Sequence, residues 1–322
     1  MKATARLLLA LTILLACAWA CGALYYDGPA KLLAGAQAAA MVGVLVFVRP
    51  RTRQPGILVA WCALVLAWWL TLQPSNEGDW QPDVAQLASA EINGDEVTLH
   101  NVRTCDYRTE TDCTPHWDPR TVRISQLTGF DIAINYWGSP YMAHPIVSFQ
   151  FADAPPVCFS IETRKKVGQT YSAIGGLYRQ FALIYIVADE RDVIRVRTNY
   201  RHGEDIYLYR TTATPAQARE RFLEYLRSVS QIRDHPRWYN AITTNCTTSI
   251  RDQHPSAERL PWDWRILVNG KGDELMFERR TIATGGLPFA ELKKRALINP
   301  AAQAADDAPD FSRRIREGRP GF

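Results

Sequence analysis

Three apolar runs in the first 72 residues constrain this chain more than any other feature of its sequence. Residues 7–24, 32–48 and 56–72 are free of charged side chains. A membrane-spanning helix needs about 20 apolar residues, with a range of roughly 17–25. We therefore predict three N-terminal transmembrane helices, and we divide the chain into a membrane anchor (1–72) and an exported domain (73–322).

The distribution of charge predicts the orientation of these helices. Lys2 and Arg6 precede the first run, and residues 49–53 place three arginines between the second and third runs. By the positive-inside rule both segments are cytoplasmic, and three crossings then put residues 73–322 outside. The exported part carries 31 basic and 32 acidic residues. This balance gives no overall basic charge of the kind that binds nucleic acid, so we predict no nucleic-acid partner.

A cleaved signal is the alternative for the first run. Residues 14–17, Leu-Leu-Ala-Cys, resemble the cleavage site of a lipoprotein signal. The apolar core of a signal peptide is about 7–15 residues long, whereas here the apolar sequence continues past Cys17. This length favours a transmembrane helix.

The sequence of the exported domain predicts a mixture of strands and separate helices. Residues 90–92 and 96–102 flank Asn93-Gly-Asp95, which is a hairpin signature. Further strands are predicted at residues 121–124, 131–137, 146–151, 157–163, 181–188 and 205–210. Helices are predicted to start at Thr214-Pro215 and near Thr244, and a third covers residues 289–297. We therefore expect an α+β domain with an antiparallel sheet.

The exported cysteines differ in their surroundings. Cys105 and Cys113 fall in a polar stretch, residues 103–118, that we expect to be a loop, and both a disulfide and free thiols remain open. Cys158 lies in an apolar strand and is expected to be a buried thiol. The sequence contains neither C-x-x-C nor H-E-x-x-H, so we predict no zinc site and no other metal or cofactor.

Cys246 is the candidate nucleophile. It follows three cap-type residues, Thr243, Thr244 and Asn245, and should therefore lie in the first turn of a helix. At that position the helix dipole favours a thiolate, and the free N–H groups can hold a developing oxyanion. The alternative is a buried structural cysteine at a helix start.

A thiolate nucleophile needs a base and a group that orients the base. His144 opens a strand just after the turn Gly138-Ser-Pro140, where its side chain can face a cleft. Glu162 is an acid in the apolar strand that follows, and a hairpin would bring it close to His144. The alternatives are a solvent-facing histidine and an outward glutamate. The remaining histidines are expected at the surface: His100, His116, His202, His235 and His254.

Several longer stretches resemble a known family. WGSPYMAHPIVSF (137–149), SIETRKK, VADERDVIRVRTNYR, WYNAITTNCTTSIR (238–251) and PDFSRRIREG are similar to the Lnb N-terminal periplasmic domain family. The resemblance runs from about residue 80 to residue 318. The order of a histidine strand, a strand with a polar third residue and a cysteine at a helix start also resembles the circularly permuted, NlpC-type papain-like fold.

The resemblance implies a function. The family includes a bacterial lipoprotein N-acyltransferase that uses a Cys–His pair, onto which Cys246 matches as nucleophile and His144 as base. Glu162 matches the family by its position only, and the resemblance implies no role for it. We therefore expect a cysteine acyltransferase or lipid acyl hydrolase that is anchored in the bacterial inner membrane. It would form a thioester acyl-enzyme on a phospholipid or lipoprotein substrate in the periplasm.

Two other functions share these residues. One is a thiol peptidase or amidase that acts on cell-wall peptides, and the other is a non-enzymatic envelope protein in which Cys246 is structural. Three membrane helices favour a lipid substrate over a peptide, because they keep the domain near the bilayer.

The arginine bias yields a test of topology. Alkaline phosphatase fused after Leu72 should be active, because that enzyme needs the oxidising periplasm. A fusion at Arg51 should be inactive, and a cytoplasmic reporter should show the reverse pattern at both positions. A cytoplasmic signal after Leu72 would overturn the predicted compartment.

Overall fold

The computed structural model describes residues 2–253, 261–267 and 269–322. The chain divides into two compact units. The first consists of Met1–Ser75, Thr170–Ala182 and Arg237–Ala241, and the second of Asn76–Gln169, Leu183–Pro236 and Ile242–Phe322.

The apolar runs form helices in the first unit. They are α1 (Lys2–Tyr26), α2 (Leu32–Phe47) and α3 (Gln54–Thr71). Helix α1 and the helical stretch that ends with α3 are long and apolar enough to cross a membrane. Helix α2 has 16 residues, which at ~1.5 Å per residue falls short of the ~30 Å hydrocarbon core. Two candidate spans are therefore supported, and the third crossing stays a prediction.

Aromatic residues lie at the ends of α1 and α3. The indole N–H of Trp69 donates to the Asp27 carboxylate at 2.6 Å. The ring of Tyr26 stacks on Tyr178, and the guanidinium of Arg179 lies 4.0 Å from the centre of the Trp69 ring. These contacts tie the segment Thr170–Ala182 to the helix ends within the first unit.

The second unit is built on an eight-stranded sheet in the part of the chain that the structure describes. Its strands are β1 (Ser89–Asn93), β2 (Glu96–Tyr107), β3 (Cys113–Arg123), β4 (Leu127–Trp137), β5 (Ala143–Phe151), β6 (Val157–Arg164), β7 (Ala182–Ala188) and β8 (Glu204–Arg210). The order is β1-β2-β7-β6-β5-β4-β8, with β3 paired to β2. Strands β4, β5, β6 and β8 form antiparallel pairs, whereas β2 meets β7 in parallel. The predicted α+β class is confirmed.

The second unit also contains helices. They are α4 (Glu190–Val193), α5 (Pro215–Asp234), α6 (Cys246–Gln253), α7 (Gly272–Glu278), α8 (Phe289–Ala296), α9 (Asn299–Ala305) and α10 (Phe311–Arg314). Helix α5 begins where the sequence predicts, because Thr214 and Gln217 form a reciprocal capping box. Its buried Phe222 packs edge-on against Phe149 of β5, with ring centres 5.1 Å apart. This contact fixes α5 on the face of the sheet.

The predicted loop at residues 103–118 is wrong. Both halves are strand, and β2 pairs with β3 as far as Tyr107 opposite Cys113. Arg103 enters the core because the Asp192 carboxylate neutralises it at 2.7 Å. Strand β3 is mostly exposed. Its residues are therefore polar, as those of a loop are, and the sequence alone does not distinguish the two.

The cysteines of the sheet lie as follows. Cys158 is fully buried, as predicted. Cys105 and Cys113 are free thiols whose sulfur atoms lie 3.3 Å apart across the β2–β3 hairpin. Their oxidation to a disulfide stays a prediction.

A buried charge cluster attaches the C-terminal segment to the sheet. The guanidinium of Arg316 donates to Asp131 of β4 and to Glu190 of α4, both at 2.9 Å. Burial raises the pKa of Asp131 to about 6, although Arg316 and Arg210 oppose that shift. Removing one partner of a buried pair costs about 3–5 kcal/mol, because an uncompensated charge remains. The cluster therefore makes the tail part of the folded domain.

The Cys105–Cys113 pair can be tested by alkylation. In protein isolated from its native compartment, we expect both thiols to be blocked until a reductant is added. A disulfide that closes so short a loop should stabilise the fold by about 2–3 kcal/mol. Cys105→Ser should then free one alkylatable thiol at Cys113, read by peptide mass. Two free thiols in the native protein would remove this prediction.

Candidate active site

Cys246 is the first residue of α6. The side-chain oxygen of Asn245 accepts hydrogen bonds from the backbone N–H groups of Thr247 and Thr248, at 3.0 and 2.9 Å. The hydroxyl of Thr248 accepts one in return from the N–H of Asn245 at 2.9 Å. This reciprocal cap explains why the helix starts here. The predicted helix start is confirmed, and Cys246 is 4% exposed.

His144 and Glu162 face one another across the β5–β6 pair. The antiparallel register sets Ile146 opposite Ser160, which carries His144 to the level of Glu162. The imidazole Nε2 lies 3.2 Å from the carboxylate Oε1. His144 is 8% exposed, and the Glu162 side chain is 27% exposed. The structure thus brings together the two residues that the sequence analysis paired.

Two residues that the sequence analysis missed hold the Glu162 carboxylate. The hydroxyl of Ser160 lies 2.7 Å from His144 Nε2 and donates to Glu162 at 2.6 Å. Arg197 donates to the same oxygen at 2.6 Å from a π-helical turn, Val196–Tyr200. Strand alternation could have identified Ser160, since it shares a face with Glu162 two residues on. No pattern in the sequence around Arg197 indicates that it contacts Glu162.

These contacts set the charges of the site. Burial alone would lower the pKa of His144, but the Glu162 charge and hydrogen bonds to Cys246 and Glu162 raise it to about 9. Burial would raise the pKa of Glu162, yet His144 and Arg197 hold it well below its usual range. The raised pKa favours the cationic imidazole at neutral pH, between the Cys246 sulfur and the Glu162 carboxylate. Because Nε2 faces Ser160 and Glu162, Nδ1 is the ring nitrogen left for the sulfur.

Asn269 also reaches the sulfur and was missed. Its side-chain amide donates to Cys246 Sγ at 3.3 Å from the 3₁₀ turn Asn269–Lys271. In the sequence it looks like part of an ordinary Asn-Gly turn, 23 residues after the cysteine. Its role becomes visible only when the fold is known.

The other candidate groups lie away from this arrangement. His100 pairs with Glu91 at 3.3 Å and His116 with Asp106 at 3.0 Å, both on partly exposed strands. His202 and His235 are exposed, and His254 lies outside the described residues. Among the residues that the structure describes, no group of three His, Cys, Asp or Glu side chains could hold a metal ion.

The arrangement has the parts of a thiol-based catalytic site. A cysteine contacts an imidazole, and the imidazole is oriented from its far side by a carboxylate. A protonated imidazole beside a sulfur stabilises a thiolate, which is the reactive form of cysteine. Because Asn245 accepts from the N–H groups of Thr247 and Thr248, the N–H of Cys246 itself is the backbone donor that the start of α6 offers beside the sulfur.

Comparison with known protein families finds a match over part of the chain. Residues 113–270 match the family model of the Lnb N-terminal periplasmic domain. The predicted family is confirmed, over a shorter range than residues 80–318. The matched range contains His144, Glu162 and Cys246 and ends one residue after Asn269. No curated protein and no solved structure matches the chain, and the permuted papain-like fold stays a prediction.

The Lnb N-terminal periplasmic domain and the apolar helices together fit a membrane protein. The family is a periplasmic one by its description, and α1 and α3 provide candidate spans. The orientation of the N-terminus remains a prediction.

The charged His144–Glu162 pair predicts how stability depends on pH. Because the folded-state pKa of His144 is raised to about 9, its contribution is complete below the unfolded value near 6.5 and is lost as pH rises through about 9. Relative to Glu162→Gln, the wild type should therefore lose on the order of 3 kcal/mol at most between pH 7 and pH 10. Glu162 also contributes above its unfolded value and loses that contribution as pH falls.

Thermal melting of both proteins between pH 7 and pH 10 measures this difference. Glu110→Gln changes an exposed carboxylate at the tip of the β2–β3 hairpin and serves as the control. Its melting temperature should follow that of the wild type. A constant gap between the wild type and Glu162→Gln would mean that His144 is not charged in the folded protein.

Proposed function

We propose that this protein is a membrane-anchored, periplasmic cysteine enzyme that transfers or hydrolyses acyl groups. The observation that supports the proposal is the continuous contact from Cys246 through His144 to Glu162 in a buried site. A cysteine kept for packing needs no charged imidazole beside it. Burying an imidazolium is costly unless a carboxylate compensates it, and here Glu162 is in place to do so.

The reaction proceeds in two balanced steps. The Cys246 thiolate attacks the ester carbonyl carbon, and the carbonyl electron pair moves to oxygen. When the pair returns, the bond to the leaving alcohol breaks and the protonated His144 gives that oxygen its proton. An amine or water then attacks the thioester while His144 takes the proton of the attacking group. The acylated product leaves and the thiolate is restored.

The surroundings of the site favour an apolar substrate. Large apolar side chains are exposed on the three segments that also carry His144, Cys246 and Asn269. They are Tyr141, Met142, Ile242, Trp262, Trp264 and Leu267. Exposed aromatic and aliphatic side chains on the segments that carry a site are consistent with a ligand or membrane surface there. The apolar helices of the first unit provide a membrane anchor, and a phospholipid or lipoprotein of the bacterial inner membrane is therefore the proposed substrate.

Intact-mass analysis tests the proposal. The purified full chain is incubated with vesicles of a diacyl phospholipid, and the mass of one acyl group should be gained and mapped to Cys246. Addition of a diacylglyceryl-cysteine peptide should remove the adduct and acylate the peptide amine if the enzyme is a transferase. Removal by water alone indicates a hydrolase. If phospholipids leave no adduct but a peptide thioester used as substrate acylates Cys246, the enzyme is a thiol peptidase, and the proposed lipid substrate is wrong.

The roles of the three residues predict an order of losses. Cys246→Ser should abolish turnover, by at least about 10³-fold, and His144→Ala should cost nearly as much, because nucleophile and base act as a unit. Glu162→Gln should cost less than about 100-fold, at the low end of general acid–base effects, since the proton acceptor remains.

Cys158→Ser is the matched control, because this buried cysteine lies outside the contact chain. Its rate of acyl transfer, measured with the same phospholipid vesicles, should stay near that of the wild type. Full activity of Cys246→Ser would leave Cys246 structural and favour a non-enzymatic role.

A further inference from the structure

The side chain of Asn269 is placed against the sulfur in a way that packing does not require. Its amide nitrogen donates to Cys246 Sγ at 3.3 Å. Its amide oxygen is buried and has no hydrogen-bond partner among the residues that the structure describes. A buried polar atom left unpaired costs about 1–3 kcal/mol. An apolar side chain would fill the same space without that cost.

The turn that carries Asn269 is held in position by its neighbour. Gly270 donates its N–H to the carbonyl of Tyr141 at 3.1 Å, and its own carbonyl accepts from the Tyr136 hydroxyl at 3.1 Å. A side chain at Gly270 would collide with the carbonyl oxygen of Pro140, so only glycine allows this approach. The same β4–β5 turn that precedes His144 therefore also positions Asn269.

We propose that Asn269 is a catalytic residue, whose side-chain amide donates to the sulfur at rest and to the carbonyl oxygen when that oxygen becomes negative. This inference rests on the proposed function. When Sγ bonds to the carbonyl carbon, the oxygen lies one bond beyond that carbon and so next to the sulfur. A donor already in contact with Sγ reaches this oxygen by a small rotation. The backbone N–H of Cys246 at the start of α6 is the second donor.

The atoms balance without a further reactant. Formation of the Sγ–C bond moves the carbonyl pair to oxygen, where the Asn269 N–H stabilises the charge without giving up its proton. Return of that pair breaks the bond to the leaving oxygen, which takes its proton from His144. Asn269 ends each step unchanged, as expected of a group that acts by electrostatic stabilisation.

The variants Asn269→Ala and Asn269→Asp test this role in the full chain. Loss of one such donor typically costs about 10²–10³ in kcat, so acylation by a diacyl phospholipid should slow by that factor, with KM little changed. Asn269→Asp keeps the shape but removes the donor, and should lose at least as much. Asn93→Ala changes an exposed asparagine of the β1–β2 hairpin and should acylate at the wild-type rate. Acylation by Asn269→Ala within threefold of wild type would overturn the proposal.

A second measurement separates this inference from the proposed function. The described titratable groups that face Cys246 are His144 on β5 and Tyr225 on α5, and neither is changed in these variants. The rate at which iodoacetamide alkylates Cys246 should reach its midpoint at a higher pH in Asn269→Ala than in wild type. If the wild type forms no acyl adduct, the proposed function fails. The midpoint pH of alkylation then tests the role of Asn269 by itself. A raised midpoint supports the contact of Asn269 with the sulfur, and an unchanged one overturns the inference.

Discussion

The imidazole of His144 is buried yet charged, and the carboxylate of Glu162 makes that state possible. An isolated buried imidazolium would lose its proton, because burial removes the water that stabilises its charge. Glu162 in turn stays ionised because Ser160 and Arg197 both donate to it. The site therefore depends on a series of hydrogen bonds that starts at Arg197, outside the contact with sulfur. Each member fixes the protonation of the next, and the last of them is the group that meets Cys246.

The sheet register gives this chain its geometry. Because β5 and β6 pair with Ile146 opposite Ser160, His144 and Glu162 fall on facing positions at the end of the pair. A slip by one residue would send one of the two side chains to the opposite face. The register is secured by the core residues of the same strands, such as Phe149 and Phe159, whose rings pack edge to face at 5.6 Å. The packing of the apolar core thus fixes the relative positions of His144 and Glu162.

The sequence was most informative where local chemistry decides the structure. The hairpin at Asn93-Gly-Asp95, the cap at Thr214 and the helix start at Asn245 each depend on a few neighbouring residues, and each could be predicted. Buried charges could not, because Arg103 enters the core by pairing with Asp192, which lies 89 residues further along the chain. The same limit applies to Arg197 and Asn269. Their partners are set by the tertiary fold, and no local pattern distinguishes them from surface residues.

The site is assembled from two parts of the chain that differ in how they are held. His144 and Asn269 are both positioned by the turn at the end of the β4–β5 hairpin, through the start of β5 and through the contact of Gly270 with Tyr141. Cys246 arrives separately, on a short helix fixed by its own cap. The base and the amide are therefore coupled through one turn, whereas the nucleophile depends on the cap of a separate helix. This division explains how His144, Glu162 and Cys246 could be predicted from strands and caps, while Asn269 required knowledge of the turn against which it packs.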